Sequence, residues 1–361
     1  MTALRIAFFG SSLVSSYWNG AATYYRGIVR ALDARGHRVA FYEPDAFGRQ
    51  QHRDIADPDW ADVVVYSAER EGEVLAAVDS ARGADVVVKA SGVGVFDELL
   101  EAAVLELDAA TTVLWDVDAP ATLARLEQDA ADPLRRLLSQ YDLVLAYGGG
   151  APVVRRYVEL GARDCIPVYN AVDPETHHPV PPDPRFAADL AFVGNRLPDR
   201  EERVEDFFVR AAMLLPAKSF LLAGSGWEDK PLPPNVRYHG HLPTDLHNAF
   251  NATPLATLNV LRESMAANGW SPATRVFEAA GAGGCLISDD WLGIEDFLEP
   301  GREVLVARSG DEVVELVEAL TPARAREIGI AARRRVLAEH TYARRAELVE
   351  RVLTGTAAAA A

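Results

Sequence analysis

Residues 268–290 read Asn268-Gly-Trp-Ser-Pro-Ala-Thr-Arg-Val-Phe-Glu-Ala-Ala-Gly-Ala-Gly-Gly-Cys-Leu-Ile-Ser-Asp-Asp290. Ser271 suits an N-cap and Pro272 the first helical position, so a helix is expected to start here. Gly283-Gly284 is placed to stop it, because glycine takes the left-handed C′ conformation without a Cβ penalty. Residues 285–288 then form a short apolar run that reads as a buried strand. A helix that feeds directly into an apolar strand is the second half of a βαβ unit. It implies a parallel sheet with helices on both faces.

The same rhythm extends in both directions. Short apolar runs occur at 5–9, 38–42, 62–66, 85–89, 112–115 and 142–146, and again at 189–193, 219–223, 236–239, 254–260, 285–288 and 304–306. Helix-period stretches separate them. Between the two series, residues 168–184 break the pattern, and the prolines at 174, 179, 181, 182 and 184 make this segment a candidate hinge. The expectation is an α/β protein of two doubly wound, Rossmann-like domains, 1–172 and 173–340, with parallel sheets facing an interdomain cleft. Residues 341–361 follow as a C-terminal helix and a frayed tail ending in 357–361. Ligands in such folds bind at the carboxyl ends of the strands.

The bulk numbers agree. A chain of 361 residues is long for one core and natural for two. Its 49% hydrophobic and 25% charged residues are a globular balance. No apolar run approaches the roughly 18 residues of a membrane span. The start, Met1-Thr-Ala-Leu-Arg-Ile-Ala-Phe-Phe-Gly10, reads as a first strand rather than a signal peptide, and a cytoplasmic location is expected. Cys165 and Cys285 lie far apart with no histidine at ligand spacing, so neither a disulfide framework nor a zinc site is expected. A formal charge of −17 argues against nucleic-acid or anionic-membrane partners. It leaves room for a small phosphorylated ligand, since screening confines distant charges to about 8 Å at physiological salt.

Chemistry concentrates in the opening segment. A helix N-terminus at a strand-end cleft offers free backbone N–H groups and a positive dipole end to phosphate. Arg275 can neutralise a diphosphate there, and Glu278, one turn on, can accept both hydroxyls of a ribose. Ser271, Pro272 and Thr274 line the same turn. The alternative is a solvated intrahelical Arg275–Glu278 pair worth only about 0.2–0.5 kcal/mol.

The stretch from Gly269 through Gly283, followed by Ile287-Ser-Asp-Asp290 and Phe297-Leu-Glu-Pro-Gly-Arg-Glu-Val304, resembles the C-terminal domain of GT-B glycosyltransferases. It is most similar to the family 1/4-like proteins that include the spore-maturation, CgeB-like group. The resemblance implies that Glu278 binds the donor ribose and that the preceding turn lies against donor phosphates. The wider family usually carries a second glutamate eight positions earlier, where this chain has Trp270. Leu190-Ala-Phe-Val-Gly-Asn-Arg-Leu-Pro-Asp-Arg200 resembles the first strand-to-helix turn of the donor domain, which makes Gly194, Asn195, Arg196 and Arg200 candidate donor contacts. The arginines read otherwise as ordinary surface partners of Asp199, Glu201 and Glu202. Gly224 falls in the next glycine turn, and His239 and Gly240 fall at the strand whose loop holds the base. Tyr169-Asn-Ala-Val-Asp-Pro174 resembles the family's Asn-Gly-Val-Asp linker, with Ala171 replacing glycine.

In the first half, the loop from Gly10 to Arg26 offers Ser11, Ser12, Asn19 and Gly20 to the sugar or acceptor. It lacks the Gly-x-Gly-x-x-Gly of a dinucleotide site. Asp116 and Asp118, at a strand end, are candidate catalytic groups that orient or deprotonate the acceptor hydroxyl. Helix capping is the alternative for Asp118, and an Asp-x-Asp metal motif belongs to a different fold. Lys89 and Ser91 are weaker candidates.

The expected activity is transfer of a sugar from a nucleotide-diphosphate sugar to an unknown acceptor. It is expected to be metal-independent and retaining, with no cofactor beyond the nucleotide-sugar co-substrate. A nucleotide-sugar epimerase of the same architecture and a non-catalytic nucleotide-sugar-binding protein are the alternatives.

Overall fold

The computed structural model describes residues 3–355. The alanine tail read as frayed lies outside the described residues. Two compact units divide the chain, Met1–Tyr169 with Tyr342–Ala361, and Asn170–Thr341. The division falls at Tyr169/Asn170, and the terminal helix Tyr342–Leu353 belongs to the first unit rather than standing apart.

The first unit holds β1 (Arg5–Phe9), β2 (Arg38–Asp45), β3 (Asp62–Ser67), β4 (Val86–Ala90), β5 (Thr111–Asp116), β6 (Leu143–Ala146) and β7 (Cys165–Pro167), in the order β3-β2-β1-β4-β5-β6-β7. Every pair is parallel. β4 and β6 are buried at every residue, because helices cover both faces. β3 sits at the edge and has one buried residue, Tyr66, the rest being exposed or half-buried. β7 is the one strand in this unit that the apolar-run reading passes over, being three residues long and ending in proline. The terminal helix packs on the helix Ala22–Asp33. There the ring of Tyr342 covers Gly27, and Glu350 pairs with Arg35 and lies 3.5 Å from His37.

The second unit holds β8 (Leu190–Val193), β9 (Phe220–Ala223), β10 (Val236–Tyr238), β11 (Ala256–Asn259), β12 (Leu286–Asp289) and β13 (Leu305–Ala307), in the order β10-β9-β8-β11-β12-β13, all parallel. The strand order reverses between β1 and β4 in the first unit and between β8 and β11 in the second. Loops leaving two such neighbours diverge to opposite faces and open a crevice between them, which is where a doubly wound sheet accepts a ligand. Among the described residues no helix is long and apolar enough to cross a membrane.

Candidate functional site

Three strand-end turns of the second unit meet on the β8 side of its β8/β11 crevice. β8 ends in Gly194, and a Cβ there would lie 2.9 Å from Nη2 of Arg200 and 3.0 Å from the Phe192 ring. Gly224, at φ +116, brings its turn against the Gly194 carbonyl so closely that any Cβ would collide with it. The Gly224 N–H donates to the Gly240 carbonyl at 2.7 Å, and the Ser225 N–H donates to Oδ1 of Asn195 at 3.0 Å. The glycines therefore fix three strand-end turns against one another. His239 is exposed, its ring edge-on to Phe186 at 5.4 Å.

The helix carrying Glu278 spans Thr274–Ala282, with Ala273 at the N-cap and left-handed Gly283 at the C-cap. It therefore starts later than Ser271-Pro272 suggests. Ser271 precedes proline and is steered away from helical dihedrals. Its hydroxyl instead donates to the Gly269 carbonyl at 2.9 Å, and both Ser271 and Pro272 are buried. Their side chains support the turn, and the uncapped N–H groups of the first helical turn begin at Thr274. Thr274 Oγ1 accepts from Asn170 Nδ2 at 3.0 Å.

Arg275 and Glu278 do form an ion pair, Nη1 to Oε2 at 2.9 Å, but it is not a solvated one. The side chains are 15% and 8% exposed. Two histidines that sequence spacing does not reveal flank the same carboxylate, His177 Nε2 at 3.7 Å and His247 Nδ1 at 3.8 Å. Burial pushes the Glu278 carboxyl up, while Arg275, His177 and His247 outweigh it and hold the group below the usual glutamate range. Burial also lowers His247 and Arg275.

Arg200 shows the opposite balance. Its Nη2 donates to the Asn195 carbonyl and its guanidinium lies 5.9 Å from the Phe192 ring centroid, yet among the described residues no carboxylate is within ion-pair distance. Burial, and after it the like charge of Arg275, hold it below the usual arginine range. The Nε atoms of both Arg200 and Arg275 are buried without a hydrogen-bond partner. Arg275 is thus paired with Glu278 while Arg200, beside it, has no carboxylate at ion-pair distance, an arrangement of like charges that is costly until an anion arrives. Arg196 is differently placed, held by Glu201 at 2.7 Å and Asp229 at 2.9 Å. The surface-partner alternative describes it better than a phosphate contact does.

Trp270, at the position of the family's earlier glutamate, has φ +40. Its Nε1 donates to Asp296 at 2.6 Å and its ring occupies the space a Cβ on Gly293 would need. It is built into the 292–296 turn.

The first-unit candidates are mostly internal supports. Asp116 is fully buried and accepts from Ser91 at 2.6 Å, Thr122 at 3.0 Å, the Asp118 N–H at 3.0 Å and the Tyr157 hydroxyl. Burial raises its pKa, and four donors occupy its lone pairs, so it is not presented to an acceptor. Asp118, half-buried at the start of the helix Ala119–Gln128, keeps an accessible place at the strand end. Lys89 is buried, donating to Asp97 and to the Ala90 carbonyl, each at 2.7 Å. Ser11 donates to Asn19 at 2.9 Å, Ser12 donates to buried Glu43 at 3.0 Å, and the Asn19 amide returns to the Ser12 and Ser15 carbonyls. These polar groups shape the loop from within, and only Gly20 of the four is exposed. Among the described residues no group of three His, Cys, Asp or Glu side chains is arranged to hold a metal ion.

A family model described as "Glycosyl transferase-like" matches residues 200–351. By fold the chain is of the GT-B type, and the matched stretch covers most of the second unit and the terminal helix. Sucrose-phosphate synthase from Thermosynechococcus elongatus superposes with a TM-score of 0.73 at 14% identity, covering 98% of this chain and 99% of that one. HepE from Anabaena, in complex with UDP and glucose, gives 0.67 at 14% identity, covering 98% and 100%. An alpha-glucosyltransferase in complex with UDP and a 13-mer DNA gives 0.67 at 12% identity, also covering 98% and 100%. No curated protein matches in sequence.

Proposed function

We propose that this protein transfers a sugar from a nucleotide-diphosphate sugar to an acceptor hydroxyl, without a resident metal or cofactor and with retention at the anomeric carbon. The observation that carries the reading is the pair Arg200 and Arg275, two desolvated cations of which only Arg275 is paired with a carboxylate, at the β8/β11 crevice beside an uncapped helix N-terminus. The diphosphate supplies the missing charge, and Glu278 accepts the ribose hydroxyls. The bond from anomeric carbon to phosphate oxygen breaks with its electrons passing to the diphosphate. The acceptor oxygen bonds to that carbon, and its proton goes to the departing phosphate oxygen. Fixed guanidinium groups and backbone N–H groups stabilise the growing charge without reorganising. Retention follows from sending the acceptor's proton to the departing phosphate oxygen, a route that needs no protein base and suits Asp116 sealed among four donors, whereas proton removal by Asp118 would invert the centre.

The similar structures that hold UDP support a uridine diphosphate sugar as the first donor to test. The charge of −17 favours an acceptor other than nucleic acid. Two buried free thiols, Cys165 and Cys285, fit a reducing compartment such as the cytoplasm. The motif order around 269–304 supports a kinship with the CgeB-like group.

Arg200→Met tests the site cleanly. It keeps the stem on Phe192 and removes a cation that Arg275 repels. Donor affinity, read by calorimetry with UDP-sugar, should fall about tenfold or more, as expected for a lost charge-assisted contact. The melting temperature should hold or rise. Unchanged affinity, or a collapse of the fold, would remove the diphosphate from this place. The anomeric configuration of the product, read by NMR, decides retention.

A further inference from the structure

Among the described residues, the non-glycine positions with positive φ are Trp18 at +48, Phe47 at +56, Phe96 at +50 and Trp270 at +40. All four are aromatic, and three belong to the first unit. A left-handed backbone strains a bulky side chain, and such strain persists where function requires it. Trp270 is held by its hydrogen bond to Asp296, but the other three reach solvent: Trp18 is 71% exposed, Phe47 54% and Phe96, the most covered, 37%. Side chains this exposed add little to a core. They bear strain without a folding gain.

Their positions share one feature. Trp18 follows β1, Phe47 follows β2 and Phe96 follows β4, so all three stand on loops at the carboxyl ends of adjacent strands, at the β1/β4 crevice of the first sheet. The loops are tied together from below. Arg49, buried, donates to the carbonyls of Ser11 at 3.1 Å and Val93 at 3.4 Å, and its guanidinium lies 4.9 Å from the Phe47 ring centroid. The Phe47 ring fills the space beside Gly94, where a Cβ would lie 2.8 Å away. Tyr17 contacts Trp18 edge-on at 6.3 Å and stacks on His52 at 4.1 Å, and His52 Nδ1 lies 2.9 Å from the carbonyl of Gly48, next to Phe47. A series of contacts thus runs from Trp18 to Phe47 and on to Gly94, in the turn that carries Phe96.

We propose that Trp18, Phe47 and Phe96 form a stacking platform for the acceptor, and that the acceptor therefore presents a flat apolar face, either the C–H face of a pyranose or an aromatic ring. The proposal rests on the glycosyl-transfer reading and adds the acceptor's chemical class. Stacking on exposed aromatics tolerates varied substituents but demands planarity, so a flexible aliphatic alcohol gains nothing from it. Nucleobases are also flat, but platforms that hold them pair aromatics with a cationic groove. Here the arginines near the rings are already engaged, Arg26 by Asp54, Arg53 by Asp57 and Arg49 buried beneath the loops, on a chain of charge −17.

The test uses the full chain with Trp18→Gly and Phe96→Gly, because glycine removes the ring and relieves the left-handed backbone. Acceptors are a neutral oligosaccharide, an aryl glycoside, an aliphatic alcohol and single-stranded DNA, each with UDP-glucose. The expected result is transfer to the saccharide or the aryl compound, and whichever is used identifies the source of the flat face. In the variants the acceptor KM should rise about tenfold or more with kcat little changed. The melting temperature should hold or rise. An unchanged KM, equal use of the aliphatic alcohol, transfer to DNA, or a lower melting temperature in both variants would overturn the platform. Acceptor binding is also read without turnover, as quenching of tryptophan fluorescence that Trp18→Gly abolishes. Failure of wild-type protein to bind or hydrolyse UDP-sugars, with that quenching intact, would defeat the transfer reading and leave the platform standing.

Discussion

Glu278 sits where three positive or titratable neighbours converge, and its ionisation is linked to folding. Its carboxyl is held below the usual value of 4.5, so the folded protein binds fewer protons there than the unfolded chain. The stability this contributes is present above about pH 4.5 and is lost as the pH falls through the lower folded value. His247 is likewise lowered from 6.5, and below that pH the unfolded chain takes up a proton that the folded one resists. Both effects have one sign. Urea unfolding should show stability falling from pH 7 toward pH 4, and Glu278→Gln should flatten the lower part of that curve. An acid limb identical in wild type and variant would mean that the carboxylate is not the linked group. The pair Arg275–Glu278 was legible in the sequence because helix spacing fixes it. His177 and His247 were not, since they arrive from a turn and another helix with no periodic relation to Glu278. The polar residues Ser11, Ser12, Asn19 and Asp116 illustrate the reverse. Sequence places them at strand ends but does not say whether a polar side chain faces a ligand or its own loop.

At the scale of elements, the donor crevice depends on turns meeting with no room for side chains. Gly224 has both a left-handed φ and a backbone carbonyl where its Cβ would stand. The clash is with the backbone of Gly194, so a rotamer change cannot relieve it. Gly224→Ala should cost about 1–3 kcal/mol of stability as local overpacking. It should also weaken UDP-sugar binding by displacing the Gly194–Arg196 turn. Gly72→Ala, at an exposed helical glycine of the first unit with nothing within 4 Å, is the control and should do neither. A Gly224→Ala protein that melted and bound like wild type would show that the turns adjust independently. Strand reading succeeded wherever helices cover both sheet faces, because burial then demands an unbroken apolar run. It missed β7, which has only three residues. The helix start slipped from Ser271 to Thr274 because a good N-cap residue just before proline is drawn into the extended turn instead.

Across the whole molecule, the doubly wound pattern was readable from end to end, but the ownership of the last helix was not. An amphipathic helix at 342–353 declares that it has a buried face without saying which core covers it. The structure assigns it to the first unit. Tyr342 lies over Gly27 and 6.3 Å from the Tyr24 ring, Arg345 donates to the Tyr169 carbonyl at 3.2 Å, and Glu350, almost fully buried, pairs with Arg35. Ending the chain at Thr341 would therefore expose the face of the helix Ala22–Asp33 that carries Gly27. It would also strip Arg35 of its partner and forfeit the burial of Val349, about 1.5–3 kcal/mol for that side chain alone. The second unit loses no residue in this truncation. Hydrogen exchange should show faster exchange at Ile28, Val29 and Leu32, with protection in β8, β11 and β12 retained. Equal loss in both sets would mean that the helix supports the chain as one cooperative body, and no loss in either would mean that it contributes no stability to the first unit.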